Sequence, residues 1–371
     1  MKIVADENMP LLTELFGGQG EVVALPGRSL DAAAVRDADV LLVRSVTRVD
    51  ESLLAGSRVR FVGSATSGHD HVDRSWLARA GIHFIHAPGC NAGAVVQYLL
   101  STFCALRPDW REQVVGIVGC GAVGGRLYRL LRELGVRRLV CDPLLSAAAI
   151  PELCDLETVL AGADILCLHV PLTRGGAHST FHLLDAGRLA RLKPGCLLIN
   201  AARGAVVDNA ALRKRLEAGA PLTVVLDVWE GEPRLDMGLW PQVAMGTPHI
   251  AGYSREGREN GTRAVHAGFC AWRGIAPPVA PSEVRRVLAV TPGADALARA
   301  VLATFDVREE HHRMATALAL AAAADIGRAF DALRRSCPER REFGHFEVVT
   351  GDPVLAADLR RIGFAVTDAS R

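Results

Sequence analysis

Val114-Val115-Gly116-Ile117-Val118-Gly119-Cys120-Gly121-Ala122-Val123-Gly124 is an apolar run that ends in three spaced glycines and opens a helical pattern over 122–134. A strand, a glycine turn and a helix in this order form a phosphate-binding unit. Gly119 permits the tight turn, Gly121 lets the backbone approach a pyrophosphate, and Gly124 allows close helix–strand packing. The first helical amides, at Ala122 and Val123, then favour an anion. With 36 glycines in the chain the pattern alone is weak, so its context decides. The next apolar run, 138–141, ends at Asp142, where a carboxylate can accept hydrogen bonds from ribose hydroxyls and disfavour a 2′-phosphate. The expected cofactor is therefore NAD.

Working outward, further short apolar runs fall at 165–168, 196–199 and 222–226, with helix-length stretches between them. This is the pattern of a doubly wound parallel sheet, a Rossmann domain. A second set precedes it at 2–5, 21–24, 40–43, 60–63 and 82–85, again spaced for a parallel sheet covered on both faces. Residues 94–106 are apolar all round and too few to cross a membrane, so they read as a buried helix between domains. Residues 255–272 read as a helix returning to the first domain. Pro277, Pro278 and Pro281 mark a linker. Beyond it an Ala-rich helix over 315–333, strands at 345–349 and 364–366, and a helix over 353–362 suggest a small α+β domain.

The chain has 371 residues, half of them hydrophobic, and a formal net charge of +1. It is long enough for two or three domains and has no global field for nucleic acid or an anionic membrane. Its nine cysteines are scattered and never paired as CxxC, which fits reduced thiols in the cytoplasm. No apolar run reaches 18 residues, and acidic Asp6 and Glu7 come too early for a signal peptide.

Three residues carry the expected chemistry. Arg203 follows the 196–199 run, Glu232 lies just past the 222–226 run, and His249 stands in Gly246-Thr247-Pro248-His249-Ile250-Ala251-Gly252. An imidazole at His249 can take a hydroxyl proton as hydride leaves the same carbon. A carboxylate at Glu232 can orient that imidazole and favour its protonated form. A guanidinium at Arg203 can hold a substrate carboxylate with two parallel hydrogen bonds. Together they describe oxidation of a 2-hydroxy acid. Asp227 ends a strand of the same sheet, where it can orient the nicotinamide carboxamide or serve as a buried salt-bridge partner. His69-Asp70-His71 lacks the further ligands of a metal site, so no metal is expected.

The motifs Gly119–Gly124, Asn200-Ala201-Ala202-Arg203-Gly204-Ala205-Val206-Val207-Asp208, Asp227-Val228-Trp229-Glu230-Gly231-Glu232-Pro233 and Thr247–Gly252 resemble those of the D-isomer-specific 2-hydroxyacid dehydrogenases. The resemblance implies that Arg203, Glu232 and His249 are the catalytic set. It implies cofactor contacts at Val170, Ala201 and Gly252. At Val170, relatives can carry threonine, and valine offers only packing and backbone bonds. The fold implied is a split substrate domain, 1–94 with a return at 254–280, and an inserted NAD domain at 95–253. The segment 281–371 is implied to form homodimers.

In the first domain, Ala5-Asp6-Glu7-Asn8-Met9-Pro10, Val43-Arg44-Ser45-Val46-Thr47, residues 63–73 and Ala87-Pro88-Gly89-Cys90-Asn91-Ala92 are similar to family members acting on a four-carbon phosphorylated 2-hydroxy acid in pyridoxal phosphate biosynthesis. This implies substrate contacts at Ser45, Thr66 and Tyr253, with Arg44 adding charge. 3-Phosphoglycerate or another D-2-hydroxy acid is the alternative substrate. An NAD-binding corepressor-like module is the alternative from a different functional class. Arg340 and Arg341 are candidates to reach a neighbouring subunit's phosphate site.

Overall fold

The computed structural model describes residues 1–278 and 284–369. The Pro281 part of the expected linker, and the boundary at 280/281, lie outside the described residues. The chain divides into two compact units. One is Met1–Ala92 with the segment that begins at Ser254; the other is Gly93–Tyr253 with the segment that begins at Val284.

The first unit is built on β1 (Lys2–Asp6), β2 (Glu21–Leu25), β3 (Val40–Val43), β4 (Phe61–Ser64) and β5 (His83–His86), all parallel, in the order β2-β1-β3-β4-β5. Every residue of β3 and β4 is buried, because central parallel strands are covered on both faces. The helix Arg255–Arg273 is capped by Ser254, whose hydroxyl accepts the Gly257 amide at 2.8 Å, and is ended by Gly274 at φ +70°. It buries Val265, Phe269 and Cys270 in one cluster with Ile3 and Phe61. A Cβ on Gly63 would lie 2.3 Å from Val265, so glycine in β4 is what lets this helix close on the sheet.

The second unit contains β6 (Val115–Val118), β7 (Arg138–Cys141), β8 (Ile165–Leu168), β9 (Leu197–Asn200), β10 (Thr223–Leu226) and β11 (Met245–Gly246). They form one parallel sheet in the order β11-β10-β9-β8-β6-β7. The order reverses at β6, which is where doubly wound sheets bind ligands at their carboxyl ends. The register is level: Val118 pairs with Cys141 and Leu168, Leu168 with Asn200, Asn200 with Leu226, and Leu226 with Gly246. The residues that follow, Gly119, Asp142, His169, Ala201, Asp227 and Thr247, are therefore set in one row along the edge of the sheet. The two-residue β11 has no apolar run and does not stand out in the sequence.

The C-terminal segment adds β12 (Arg286–Leu288), β13 (Phe346–Thr350) and β14 (Ala365–Asp368), parallel and in that order. Four helices accompany them: Ala296–Thr304, Val307–Leu320, Ile326–Arg335 and Pro353–Ile362. The single Ala-rich helix expected over 315–333 is instead broken between Leu320 and Ile326. The break lets Met314 and Leu318 on one side, and Ile326, Phe330 and Leu333 on the other, face the same core cluster. The segment also shares a core with the long helix Ala92–Leu106: Leu99 and Phe103 cluster with Ala300, Val307, Phe343 and Leu359.

Candidate active site

The glycine turn shows which of its glycines the protein itself requires. Gly119 has φ +88°, and a Cβ on Gly124 would stand 2.0 Å from the Gly119 carbonyl oxygen. Around Gly121 the position of a Cβ is open, with no atom within 4 Å. The first and third glycines thus serve the turn and the packing, while the space at the second serves a ligand's approach. Ala122 begins a helix of 12 residues, Ala122–Glu133, whose first amides have no partner within the helix and suit an anion. The Asp142 carboxylate reaches back to the turn, accepting the Cys120 amide at 2.8 Å and the Leu144 amide at 3.0 Å. Val170 packs on the same turn, since its Cγ1 would be 2.8 Å from a Cβ on Gly119. This set fits a dinucleotide: a phosphate cradle at Gly121–Val123, a carboxylate for ribose at Asp142, and an apolar wall at Val170. Ala201 follows β9 directly in the row, and Gly252 follows the His249 loop.

His249 and Glu232 are brought together, with Nδ1 and Oε1 2.5 Å apart. The second Glu232 oxygen accepts the Trp229 amide at 3.1 Å. Burial opposes the Glu232 charge, but the His249 ring and the Trp229 amide outweigh it and hold the carboxyl below the ordinary glutamate value. With Nδ1 engaged, the ring presents Nε2 as its other functional atom.

Arg203 lies at the end of β9 in an extended conformation, its Nη1 donating to the Ala202 carbonyl at 2.8 Å. The Asn200 side chain braces this loop, donating to the Arg203 carbonyl at 3.0 Å and accepting the Ala202 amide at 3.1 Å. Gly204 then passes so close to the next loop that a Cβ would be 2.0 Å from the Trp229 carbonyl carbon. Only glycine lets the Arg203 loop abut the loop that carries Glu232.

Asp227 is buried, and within the chain its carboxylate accepts backbone amides and a hydroxyl. Its carbonyl accepts the His249 amide at 2.8 Å; its carboxylate accepts Ile250 N at 2.7 Å, Ala251 N at 2.9 Å and the Thr247 hydroxyl at 2.7 Å. Burial pushes its carboxyl up, against the pull of His249 and these donors. His249 itself has φ +57°, a left-handed conformation that costs an ordinary residue on the order of 1 kcal/mol. Three successive amides aimed at one residue form a nest, and Asp227 fills it. Thr247 and Trp229 lie within the quoted motifs without an assigned role, and Tyr98 has no signal in the sequence. Trp229 Nε1 donates to the Thr247 carbonyl at 3.1 Å, and the Tyr98 hydroxyl meets the Thr247 hydroxyl at 2.8 Å.

Tyr253 accepts a hydrogen bond from Arg334 at 3.1 Å, and the Arg334 charge also favours the Glu232 carboxylate. Arg340 corrects its sequence reading. It is 6% exposed, donates to the Ala94, Ile250 and Ala251 carbonyls of its own chain, and is too deep to serve a neighbouring subunit. The Arg341 carbonyl accepts the Gln97 amide at 3.0 Å.

Ser45 and Thr66 belong to the other compact unit, past the carboxyl ends of β3 and β4. Ser45 is exposed. The Thr66 hydroxyl donates to the Gly68 carbonyl at 2.8 Å and meets Ser64 Oγ at 2.7 Å, which in turn meets His71 Nε2 at 3.0 Å. Arg44 donates to the Asn8 carbonyl at 3.2 Å, and His69 stacks edge-on against His86 with centroids 4.8 Å apart. Among the described residues, one group could offer metal-ligand atoms within 4.8 Å of one another: His182, Asp208 and Glu230. His182 Nε2 is 2.7 Å from Glu230 Oε1, while the other carboxylate oxygens accept the Ala211 and Asn209 amides. The group ties three loops together.

Comparison with known proteins places these features. Residues 102–251 match the family model described as D-isomer specific 2-hydroxyacid dehydrogenase, NAD binding domain. The chain is 48% identical to an erythronate-4-phosphate dehydrogenase of Pseudomonas paraeruginosa, with 98% of each chain covered. It is 47% identical to the protein of the same name from Sodalis glossinidius, at the same coverage. Among solved structures, the TT0316 protein of Thermus thermophilus aligns over 75% of this chain and 99% of its own, with a TM-score of 0.64 and 27% identity. An NAD+-bound 3-phosphoglycerate dehydrogenase of Entamoeba histolytica aligns over 74% and 95%, with a TM-score of 0.64 and 22% identity, which shows the shared fold.

Proposed function

Because the chain belongs to the erythronate-4-phosphate dehydrogenases, within the D-isomer specific 2-hydroxyacid dehydrogenase family, we propose that it oxidises 4-phospho-D-erythronate at C2. The product is 2-oxo-3-hydroxy-4-phosphobutanoate, an intermediate of pyridoxal 5′-phosphate biosynthesis. Bound NAD supplies the hydride acceptor. The turn shaped by Gly119 and Gly124, open at Gly121, would hold its pyrophosphate with the helix amides at Ala122 and Val123, and Asp142 would hold its ribose; Val170, Ala201, Asp227 and Gly252 would line the same row.

His249 Nε2 takes the proton of the C2 hydroxyl. The C2–H electron pair leaves as hydride, and the C2–O bond becomes a carbonyl. Glu232 remains ionised, fixes the ring through Nδ1 and favours the imidazolium that forms. Arg203 holds the substrate carboxylate and polarises the C2 oxygen. Ser45, Thr66 and Tyr253 bind the remainder of the substrate.

The observation that carries this reading is the 2.5 Å pairing of His249 with Glu232. It shares its sheet edge with an open glycine turn. The test is a panel of 4-phospho-D-erythronate, 3-phosphoglycerate and D-lactate, followed by NADH formation. The highest kcat/KM is expected for the first. A preference for 3-phosphoglycerate would reassign the substrate, and NAD binding without turnover on any of them would remove the enzymatic reading.

A homodimer through the C-terminal segment is part of the same proposal, checked by light scattering of the purified protein. A reducing, cytoplasmic setting is supported by the nine free cysteines, several of which burial pushes up, Cys120 and Cys141 to about 11. Among the described residues no helix is long and apolar enough to cross a membrane.

A further inference from the structure

We infer that Arg340 is a positioning residue for His249: the C-terminal segment takes part in catalysis within its own chain, by clamping the loop that carries the acid/base. The inference rests on the proposed role of His249.

The peptide groups just after His249 are held from two sides. Their amides at Ile250 and Ala251 are bound by the Asp227 carboxylate. Their carbonyls are bound by Arg340 Nη2, at 3.4 Å for Ile250 and 2.5 Å for Ala251. The same Nη2 reaches the Ala94 carbonyl at 3.3 Å, and the guanidinium carbon stands 4.2 Å over the Phe305 ring. A carboxylate and a guanidinium thus enclose one short stretch of backbone, each polarising the peptides toward the other.

Such a clamp has a purpose at this position. His249 is in a left-handed conformation that a histidine does not prefer, so the loop needs external restraint to keep Nδ1 on Glu232. Burying a guanidinium is costly, and here the hydrogen bonds that offset the cost run through Nη2 alone, to the loop and to Ala94, while Nε and Nη1 are buried without a hydrogen-bond partner. The surroundings fix Arg340 in turn. Gln97 donates to the Arg341 carbonyl at 3.0 Å and to Thr304 Oγ1 at 3.0 Å, and Gly93 leaves room for the Glu342 side chain, which a Cβ there would overlap. Helix Ala92–Leu106 therefore anchors the segment from which Arg340 reaches the loop.

Arg340→Lys and Arg340→Met in the full chain test this. Lysine keeps the charge, but its point ammonium lacks the planar guanidinium that lies over the Phe305 ring while Nη2 meets the carbonyls. The expected result is a fall in kcat on the order of tenfold for lysine and more for methionine, because a small displacement of a reacting group is costly. NADH affinity should stay within about twofold, and the pH inflection of kcat should move with the altered His249–Glu232 pairing. A role confined to stability would lower Tm while leaving kcat per folded site and the pH profile unchanged, and that result overturns the inference. If Arg340→Met does not fold, Gln97→Ala, which removes the donor to the Arg341 carbonyl, must reduce kcat in the same sense; unchanged kcat there counts against the inference equally. His249→Ala is the control. Turnover surviving in His249→Ala removes the proposed function, whereas an inactive His249→Ala beside a normal Arg340→Lys removes only the clamp.

Discussion

Asp227 binds His249 and its successors in sequence: its carbonyl takes the His249 amide at 2.8 Å, and its two carboxylate oxygens take the amides of Ile250 and Ala251. A buried carboxylate that shapes the loop of a proposed acid/base is more exacting than one that merely carries charge. Asp227→Asn presents an NH2 group to one of those amides and leaves a buried donor unpaired, at a cost of about 1–3 kcal/mol. Turnover should fall on the order of tenfold or more, together with a lower Tm. A variant with wild-type kcat would show that the loop holds its form without the carboxylate.

Glu232 gives a pH dependence of stability. Its folded-state pKa lies below the unfolded value, so its contribution is fully present above the ordinary glutamate pKa and is lost as pH falls through the lowered folded value. The unfolding free energy of wild type relative to Glu232→Gln should therefore be level near neutrality and shrink below about pH 4.5. Denaturant titrations across that range check it, and a difference that grows with acidity contradicts the pairing.

Arg203→Lys keeps the charge and loses the two-pronged geometry. We expect kcat/KM for the hydroxy acid to drop by about two orders of magnitude, with NAD affinity retained. Steady-state kinetics on the preferred substrate decide this, and a wild-type value rules out the carboxylate clamp.

Gly121 and Gly124 should separate ligand from fold. Alanine at Gly124 places a Cβ on the Gly119 carbonyl and should lower Tm markedly. Alanine at Gly121 meets no protein atom within 4 Å, so Tm should hardly change while the Kd for NADH rises. Equal NADH affinity in Gly121→Ala and wild type would place the pyrophosphate elsewhere.

Much of the fold is legible because it is local. β3, β7 and β8 fall on apolar runs flanked by polar turns, and the glycine turn follows β6 directly. Short elements escape such reading: β11 has two residues and β12 lies exposed at an edge. The break between Leu320 and Ile326 escapes as well, since neither glycine nor proline marks it and only the shared core demands it. At the site, the pairing of His249 with Glu232 is readable because an imidazole and a carboxylate are natural partners. The burial of Arg340 is not, because its acceptors Ala94 and Ala251 lie 246 and 89 residues away in sequence.

Gly204 has a further consequence. Because its backbone lies against that of Trp229 and Glu230, the stretches bearing Arg203 and Glu232 are packed main chain to main chain. The backbone spacing between Arg203 and Glu232 is then set by main-chain packing. If Arg203 and Glu232 act as proposed, room for a longer or bulkier acid comes from other parts of the chain, and specificity can diverge while the chemistry stays the same.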